Sequence, residues 1–384
     1  MMQASEIRDE KTLQAWLAAR PETTQQRDAV IIAHRAAMRV LPLFVQELNE
    51  GWAQKHGLTA LPVLRPNLTS GATVGNPAPE VKKAAVFAAT AAAAATTRSA
   101  TTRSAAATRS ATTADSAAFA AAFAATAADS AFAATTADSA FAAAAWTQIQ
   151  SDAAKLETSA NPEQSALWPD APEALQQAWA TARAWLTVHP GHDFWIRWYE
   201  AALAGRPLTG DWETHDELLT DIALIPDEDW EKGAEHIAAL IAEIEARHRL
   251  LAETRRLKTE LAPMVTAAAA APIGHNHPPE PLDDAPLPQQ LTIIWAMLDN
   301  AELELSKPKP DKSVLRKIGT SLKNAAIAIA RYCGLKADKA LDKAVETLGA
   351  TVGKGTAAAI VAKLAGLDDA VLALANAIKT FAGP

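Results

Sequence analysis

The chain has 384 residues, a formal net charge of −8 and a single cysteine, Cys333. That length suits two or three domains, the acidic balance argues against a general nucleic-acid binder, and one cysteine excludes an intramolecular disulfide framework. Hydrophobic residues make up 49% of the chain, a figure inflated by alanine, and Trp outnumbers Tyr by 11 to 2.

The opening MMQASEIRDEKTLQAW is charged early and has no apolar core, so no secretory signal is expected there. No run of about 18 strongly apolar residues is present, and the alanine tract is too interrupted for a transmembrane span. The cytoplasm is the expected compartment, consistent with one reduced cysteine.

Residues 6–20 are predicted as a short helix around Leu13, Trp16 and Leu17, stopped at Pro21. A second helix is predicted over residues 22–55. Its apolar set, which includes Val30, Ile31, Met38, Leu41, Val45 and Leu48, has helical spacing, and Pro42 should kink it. His34 lies on that face and reads as a core histidine. Residues 57–80 are rich in Pro, Gly, Asn and Thr and read as an irregular connector. The sequon Asn67-Leu68-Thr69 within it carries no weight without a secretory signal.

Residues 84–145 are almost all Ala, Thr and Ser, with spaced Arg, Asp and Phe. TRSATTRSAAA at 97–107 is followed by TRSATTADSAA at 108–118, a step of eleven, and Phe123, Phe132 and Phe141 follow a step of nine. Alanine has the highest helix propensity, so one or more helices are expected, with a break near 112–116 or 135–139. A β-solenoid, low-complexity disorder and an ice-binding helix are the alternatives.

Helical pattern continues over residues 146–156 and breaks at 161–172. A helix is expected at 173–188, a turn at His189-Pro190-Gly191-His192-Asp193, and another helix at 193–204 ended by Gly205 and Pro207. Trp195 and Trp198, three apart, share a face. They predict a helix–helix core, with an aromatic ligand pocket as the alternative. An acidic helix follows at 211–224, then a turn in which Asp227 or Asp229 could cap the next helix. That helix is expected to end near residue 261. Ile237, Ile241, Ile244, His248, Leu251, Arg255 and Lys258 alternate by four and three along it, a heptad seam that could pack within the domain or pair with another chain.

Residues 263–286 read as a Pro-rich linker. Beyond it, Leu291, Ile294, Trp295 and Leu298 predict a helix face, Lys307-Pro308-Lys309-Pro310 a break, and residues 311–333 an amphipathic helix. Helices at 336–348, 356–364 and 368–381 complete the pattern. Acidic residues dominate 200–245, whereas Lys307, Lys309, Lys312, Arg316, Lys317 and Lys323 make the later region basic. A solvated or internally paired surface would account for this. A basic amphipathic module meeting anionic lipid through residues 307–381 is the sharper expectation, and it would place the protein peripherally at the inner membrane face.

No residue is assigned to catalysis, to a cofactor or to a metal. His275 and His277 with Glu280 sit in a Pro-rich linker, His189 and His192 in a capping turn, and each falls short of a zinc framework. Gly353-Lys354-Gly355-Thr356 departs from the phosphate-loop pattern because Gly355 intervenes before the hydroxyl residue.

Several stretches resemble bacterial proteins that carry no established activity: EIRDEKTLQAWL, AHRAAMRVLP, the Ala-rich middle, HDFWIRWYEAALAGRPL, ALIPDEDWEKG and the linker IGHNHPPEPL. The repeat is also loosely similar to repeats of bacterial toxin-immunity proteins. Neither resemblance implies particular functional residues.

The expectation is therefore an all-α, multi-helix protein with a central Ala-rich helical region and a small C-terminal helical domain. Its parts are 1–58, a connector 59–80, the repeat 81–157, a Trp-rich region 173–262, the linker 263–286 and the basic part 287–384. The function expected is a non-enzymatic helical interaction or scaffold protein that self-associates or binds a protein partner. Its candidate contact residues are Ile237, Ile241, Ile244, Leu251, Trp195, Trp198, Arg316, Lys317 and Lys323. The alternative is an effector of bacterial conflict or phage defence whose C-terminal helices act on membranes. No specific nucleic acid is expected.

Overall fold

A computed structural model describes residues 2–55, 59–81, 83–84, 139–269, 287–334 and 367–383, and 81% of the described part is helical with no strand. The protein is all-α, as its periodicity indicates. The repeat over 85–138, the linker residues 270–286 with His275 and His277, the helices expected at 336–348 and 356–364, and Gly353–Thr356 lie outside the described residues. No helix among the described residues is long and apolar enough to cross a membrane. The chain forms two compact units, Met1–Ala242 and Glu243–Pro384.

Unit 1 is organised around one helix. Helix α1 (Glu10–Ala18) starts at Asp9, whose carboxylate accepts from the Thr12 amide at 2.8 Å while the Thr12 hydroxyl accepts from the Asp9 amide. Helix α2 (Glu22–Gln46) follows directly after Pro21 and carries Pro42 inside it. From Val30 to Pro42 every residue of α2 is buried, because other helices cover it on several sides. The helix predicted over 22–55 stops at Gln46 and continues as a 3-10 turn and a short α3 (Gly51–Lys55).

The connector expected at 59–80 is instead a buried helix, α4 (Leu61–Gly75), packed on α2. Its polar side chains satisfy the helix's own carbonyls: Asn67 donates to Val63, Thr69 to Arg65, Ser70 to Asn67 and Thr73 to Thr69. These bonds let Asn and Thr enter the interior, where each would otherwise carry an unmet polar group. Asn67 of the sequon is buried and held in this way. Helix α5 (Ser139–Glu157) also packs on α2, as does α6 (Glu173–Val188), and α7 (Asp193–Ala204) packs on α6. Helix α8 (Trp212–Ala223) is capped by Asp211, which accepts from the Thr214 amide at 2.8 Å, and it lies against α4.

The short α9 (Asp227–Trp230) begins after Pro226. Neither Asp227 nor Asp229 caps the helix that follows. Asp227 pairs with Arg65, and Asp229 accepts from the side chains of Lys232 and His236. Helix α10 (Ala234–Ala269) then runs across the boundary between the units.

Helix α10 passes through Pro263 to Ala269, where a linker was expected from residue 263. Leu261 and Met264, on either side of that proline, are both buried in the core of unit 2, and this packing carries the helix past a residue that costs about 3 kcal/mol in a helix interior. The remaining helices of unit 2 are α11 (Leu287–Leu305), α12 (Lys312–Gly334) and α13 (Leu367–Ala382). Leu257, Ile294, Leu298, Leu315, Leu322 and Ile378 are fully buried in their shared core. A side chain at Gly319 of α12 would meet Lys379 and the Ala375 carbonyl of α13, so this glycine admits the close approach of the two helices. Two arginines finish helix C-termini. Arg247 donates to the carbonyls of Leu305 and Lys307 at 3.2 and 2.9 Å, and Arg316 to those of Gly383 and Ala382.

A candidate polar cavity in unit 1

The residues singled out in the sequence are mostly structural. Ile237 and Ile241 are 0% and 1% exposed, Ile244 is half-buried, and Leu251 belongs to the core of unit 2. The heptad pattern therefore serves the chain's own cores, and Ile237, Ile241 and Leu251 are not available as a contact surface. Trp195 and Trp198 are likewise buried, ring to ring at 5.7 Å, and Trp195 also meets Phe194 and Trp230. Of the basic group, Arg316 is engaged at the end of α13, Lys307 pairs with Glu304 and Lys312 with Glu243. Lys317 is exposed and Lys323 half-buried. The apolar face of α12 lies inside its own unit.

Trp198 leads to something else. It lines a cavity of about 150 Å³, bounded by α2, α4, α7, α8 and the segment before α6. Helical spacing builds each wall. From α2 come Arg27, His34 and Met38, and from α8 come Trp212, His215, Asp216 and Leu219. Helix α4 contributes Gly71, Val74 and Gly75, where small size is essential. A β-carbon on Gly71 would sit 3.0 Å from the His34 ring, and one on Gly75 would sit 2.2 Å from the Asp216 carboxyl carbon. Two glycines four apart thus let His34 and Asp216 approach the α4 backbone.

Asn161 and Glu163 come from a 3-10 turn (Pro162–Gln164) that Asn161 caps and a neighbouring charge cluster holds. Asp152 of α5 is buried between Arg35 and Arg39 of α2, at 3.0 and 2.6 Å. The two guanidiniums also donate to the carbonyls of Ser165, Ala166 and Leu167. Those bonds fix the chain just after Glu163. Gly205 closes the same region: its φ is +62°, and any β-carbon would lie 2.2 Å from the Ser165 carbonyl carbon.

The electrostatics of the cavity are unusual for polar groups so close together. Burial pushes the Glu163 carboxyl up to about 7, against the opposing pull of Arg35. Burial also raises Asp216. His34 is pushed down to about 3 and His215 to about 4 by burial, so both imidazoles are neutral at pH 7. Their tautomers follow from the hydrogen bonds. The Ser70 hydroxyl donates to the Asn67 carbonyl, so at 2.7 Å it accepts from His34 Nδ1–H and leaves Nε2 as an acceptor. The Leu208 amide donates to His215 Nδ1 at 3.2 Å, so His215 carries its proton on Nε2.

Glu163 Oε1 is buried without a partner, and Asp216 has no hydrogen bond among the described residues. In the sequence His34 reads as a core histidine and Trp198 as a packing residue with a pocket as the alternative, while Glu163, Asp216, His215 and the two glycines carry no reading there. The usable signal was the Gly71-x3-Gly75 spacing and the pair Arg35 and Arg39, four apart inside an apolar run. His189 and His192 lie elsewhere, with His189 stacked on Trp185 at 3.9 Å and His192 Nδ1 against the His189 and Pro190 carbonyls.

Fold and cavity together define an all-α protein with a small, polar, partly buried pocket. Comparison with protein-family models, with curated proteins and with solved structures finds no match to this chain.

Proposed function

We propose that this chain is a non-enzymatic helical binding protein and that unit 1 holds a small polar ligand in the cavity. One observation carries the reading: two carboxyl groups without partners and two neutral imidazoles converge on a single cavity. Isolated polar groups in a helical interior are ordinarily satisfied by the protein itself, and clusters of shifted groups concentrate at functional sites. A cavity of this volume is the size that holds a benzene ring, which sets the scale of the ligand or of its head group. The burial of Ile237, Ile241 and Leu251 in the chain's own cores supports the cavity over the α10 seam as the working surface.

The test is a thermal-shift survey of the full chain against small acids, bases and neutral heterocycles. One class should raise the melting temperature, because ligand at a hundred times its Kd stabilises by about 2.7 kcal/mol. If no class does so, the reading fails. A second reading, acid–base catalysis, is favoured by Glu163, since a carboxyl near neutrality suits proton transfer. Mass spectrometry of the bound compound separates the two: a binder returns it unchanged.

A further inference from the structure

This inference rests on the cavity being a binding site and names what occupies it. We propose that the cavity takes a small organic cation rich in N–H donors, a guanidinium, amidinium or primary ammonium head group, held between Glu163 and Asp216.

Several polar groups of the cavity are left over once the protein's own bonds are counted. On the accepting side stand Glu163 Oε1, the Asp216 carboxylate and His34 Nε2. His34 is 5% exposed, and with Nδ1 bound to Ser70 its remaining lone pair has no protein donor among the described residues. On the donating side stand His215 Nε2–H, the Asn161 amide nitrogen, whose Oδ1 already accepts from the Glu163 amide at 3.1 Å, the indole N–H groups of Trp198 and Trp212, and the exposed guanidiniums of Arg27 and Arg206. Neither Glu163 nor Asp216 lies within ion-pair distance of those guanidiniums among the described residues, so the complement of the two carboxyl groups is a ligand that donates.

Charge points the same way. Two carboxyl groups lie in a partly buried site, and neither has a cationic partner within ion-pair distance among the described residues. Arg35 is committed to Asp152 and to the Ser165 and Ala166 carbonyls, and Arg39 gives Nη2 to Asp152 and Nε to the Leu167 carbonyl, leaving its buried Nη1 without a partner. A cation entering the cavity supplies the charge these carboxyls lack, and in return they ionise fully. Arg27 and Arg206 also line the cavity, but both are exposed, at its edge. They face whatever the head group carries behind it, and a carboxylate there would suit them. Trp212 lines the wall beside His215 and offers an aromatic surface to the cation.

Calorimetry on the full chain tests this with methylguanidine, guanidinoacetate, acetate, inorganic phosphate and pyridine. The two guanidinium compounds should bind, and guanidinoacetate should bind at least as tightly as methylguanidine. Glu163→Gln and Asp216→Asn keep shape while removing charge, and each should weaken binding by about tenfold or more. Binding should tighten from pH 6 to pH 8. The groups facing Glu163 are Arg35 and Arg39 from α2, Asp152 from α5 and Asp216 from α8, and Glu163→Gln should flatten that rise. Circular dichroism of both variants verifies the fold. If acetate, phosphate or pyridine binds and the guanidinium compounds do not, the cation assignment is overturned while the cavity stands as a site. The assignment also falls if both variants bind methylguanidine as the wild type does. If none of the five binds and the wider survey is equally silent, the cavity is no binding site.

Discussion

Buried charge in unit 1 is arranged in two ways with opposite consequences. Asp152 sits between Arg35 and Arg39 with its hydrogen bonds made, so this cluster ties α5 and the turn before α6 to α2. Glu163, Asp216, His34 and His215 instead hold unmet capacity around a cavity. Their shifts make stability depend on pH in a direction that can be worked out. Both histidines have folded values far below the ordinary 6.5, at about 3 and about 4. Between about pH 6.5 and 4.5 the unfolded chain binds protons on them that the folded chain refuses, so stability falls as pH falls. Glu163, at about 7 against an ordinary 4.5, works the other way: its folded form holds a proton that the unfolded form lacks, and stability falls as pH rises through that window. Three imidazoles held down by burial, His34, His215 and His192, outweigh two carboxyls held up by it, Glu163 and Asp216, in this balance. Urea unfolding of the wild type should therefore lose midpoint between pH 6.5 and 4.5, and His215→Gln should lose distinctly less over the same interval. Equal losses in the two proteins would contradict the burial of His215 as a neutral ring.

Elements here are set by what covers them more than by their own propensity. Helix α4 contains two prolines, two glycines, Asn and Thr, a composition that reads as a connector, yet it is buried against α2 and α8. Its polar side chains turn inward onto its own carbonyls, and its glycines are the points of closest approach. Helix α7 shows the converse, with boundaries that sequence signals place correctly: Asp193 opens it and Gly205 ends it in the left-handed conformation. Gly205 also touches the backbone of Ser165 and Ala166, the carbonyls that Arg35 holds. Gly205→Ala should cost about 1–2 kcal/mol from the left-handed backbone alone, and more from that contact. The measurement is chemical denaturation. A cost below a few tenths of a kcal/mol would mean that the α7 terminus can move away from the turn.

At the level of the whole molecule, the apolar faces of α11, α12 and α13 close on one another and on the later part of α10. The amphipathic pattern of α12, which suggested an anionic lipid surface, is largely spent on that core. Arg316, Lys307 and Lys312 are tied to a helix end or to carboxylates. The full protein mixed with anionic vesicles at low salt should accordingly remain in the supernatant. Sedimentation with the vesicles that salt reverses would show that remaining basic residues, among them Lys309, Lys317 and Lys323 together with Lys336, Lys339 and Lys343 outside the described residues, attract the membrane, and would restore the lipid reading.

Periodicity and capping chemistry alone determined that this protein is helical, where α6 and α7 lie, and that Trp195, Leu291 and Leu298 are core residues. Those properties depend on neighbours a few positions away, which a linear reading can see. Only tertiary structure decided that α4 is a buried helix, that the α10 seam faces its own chain, and that Glu163, His34, His215 and Asp216 share a cavity. Each of those outcomes depends on contacts across long stretches of chain. Arg35 and Asp152 are 117 positions apart, and nothing in either local sequence says that the other will neutralise it. The cavity exists because Gly71 and Gly75 leave room for side chains from two other helices, and room is a property of packing.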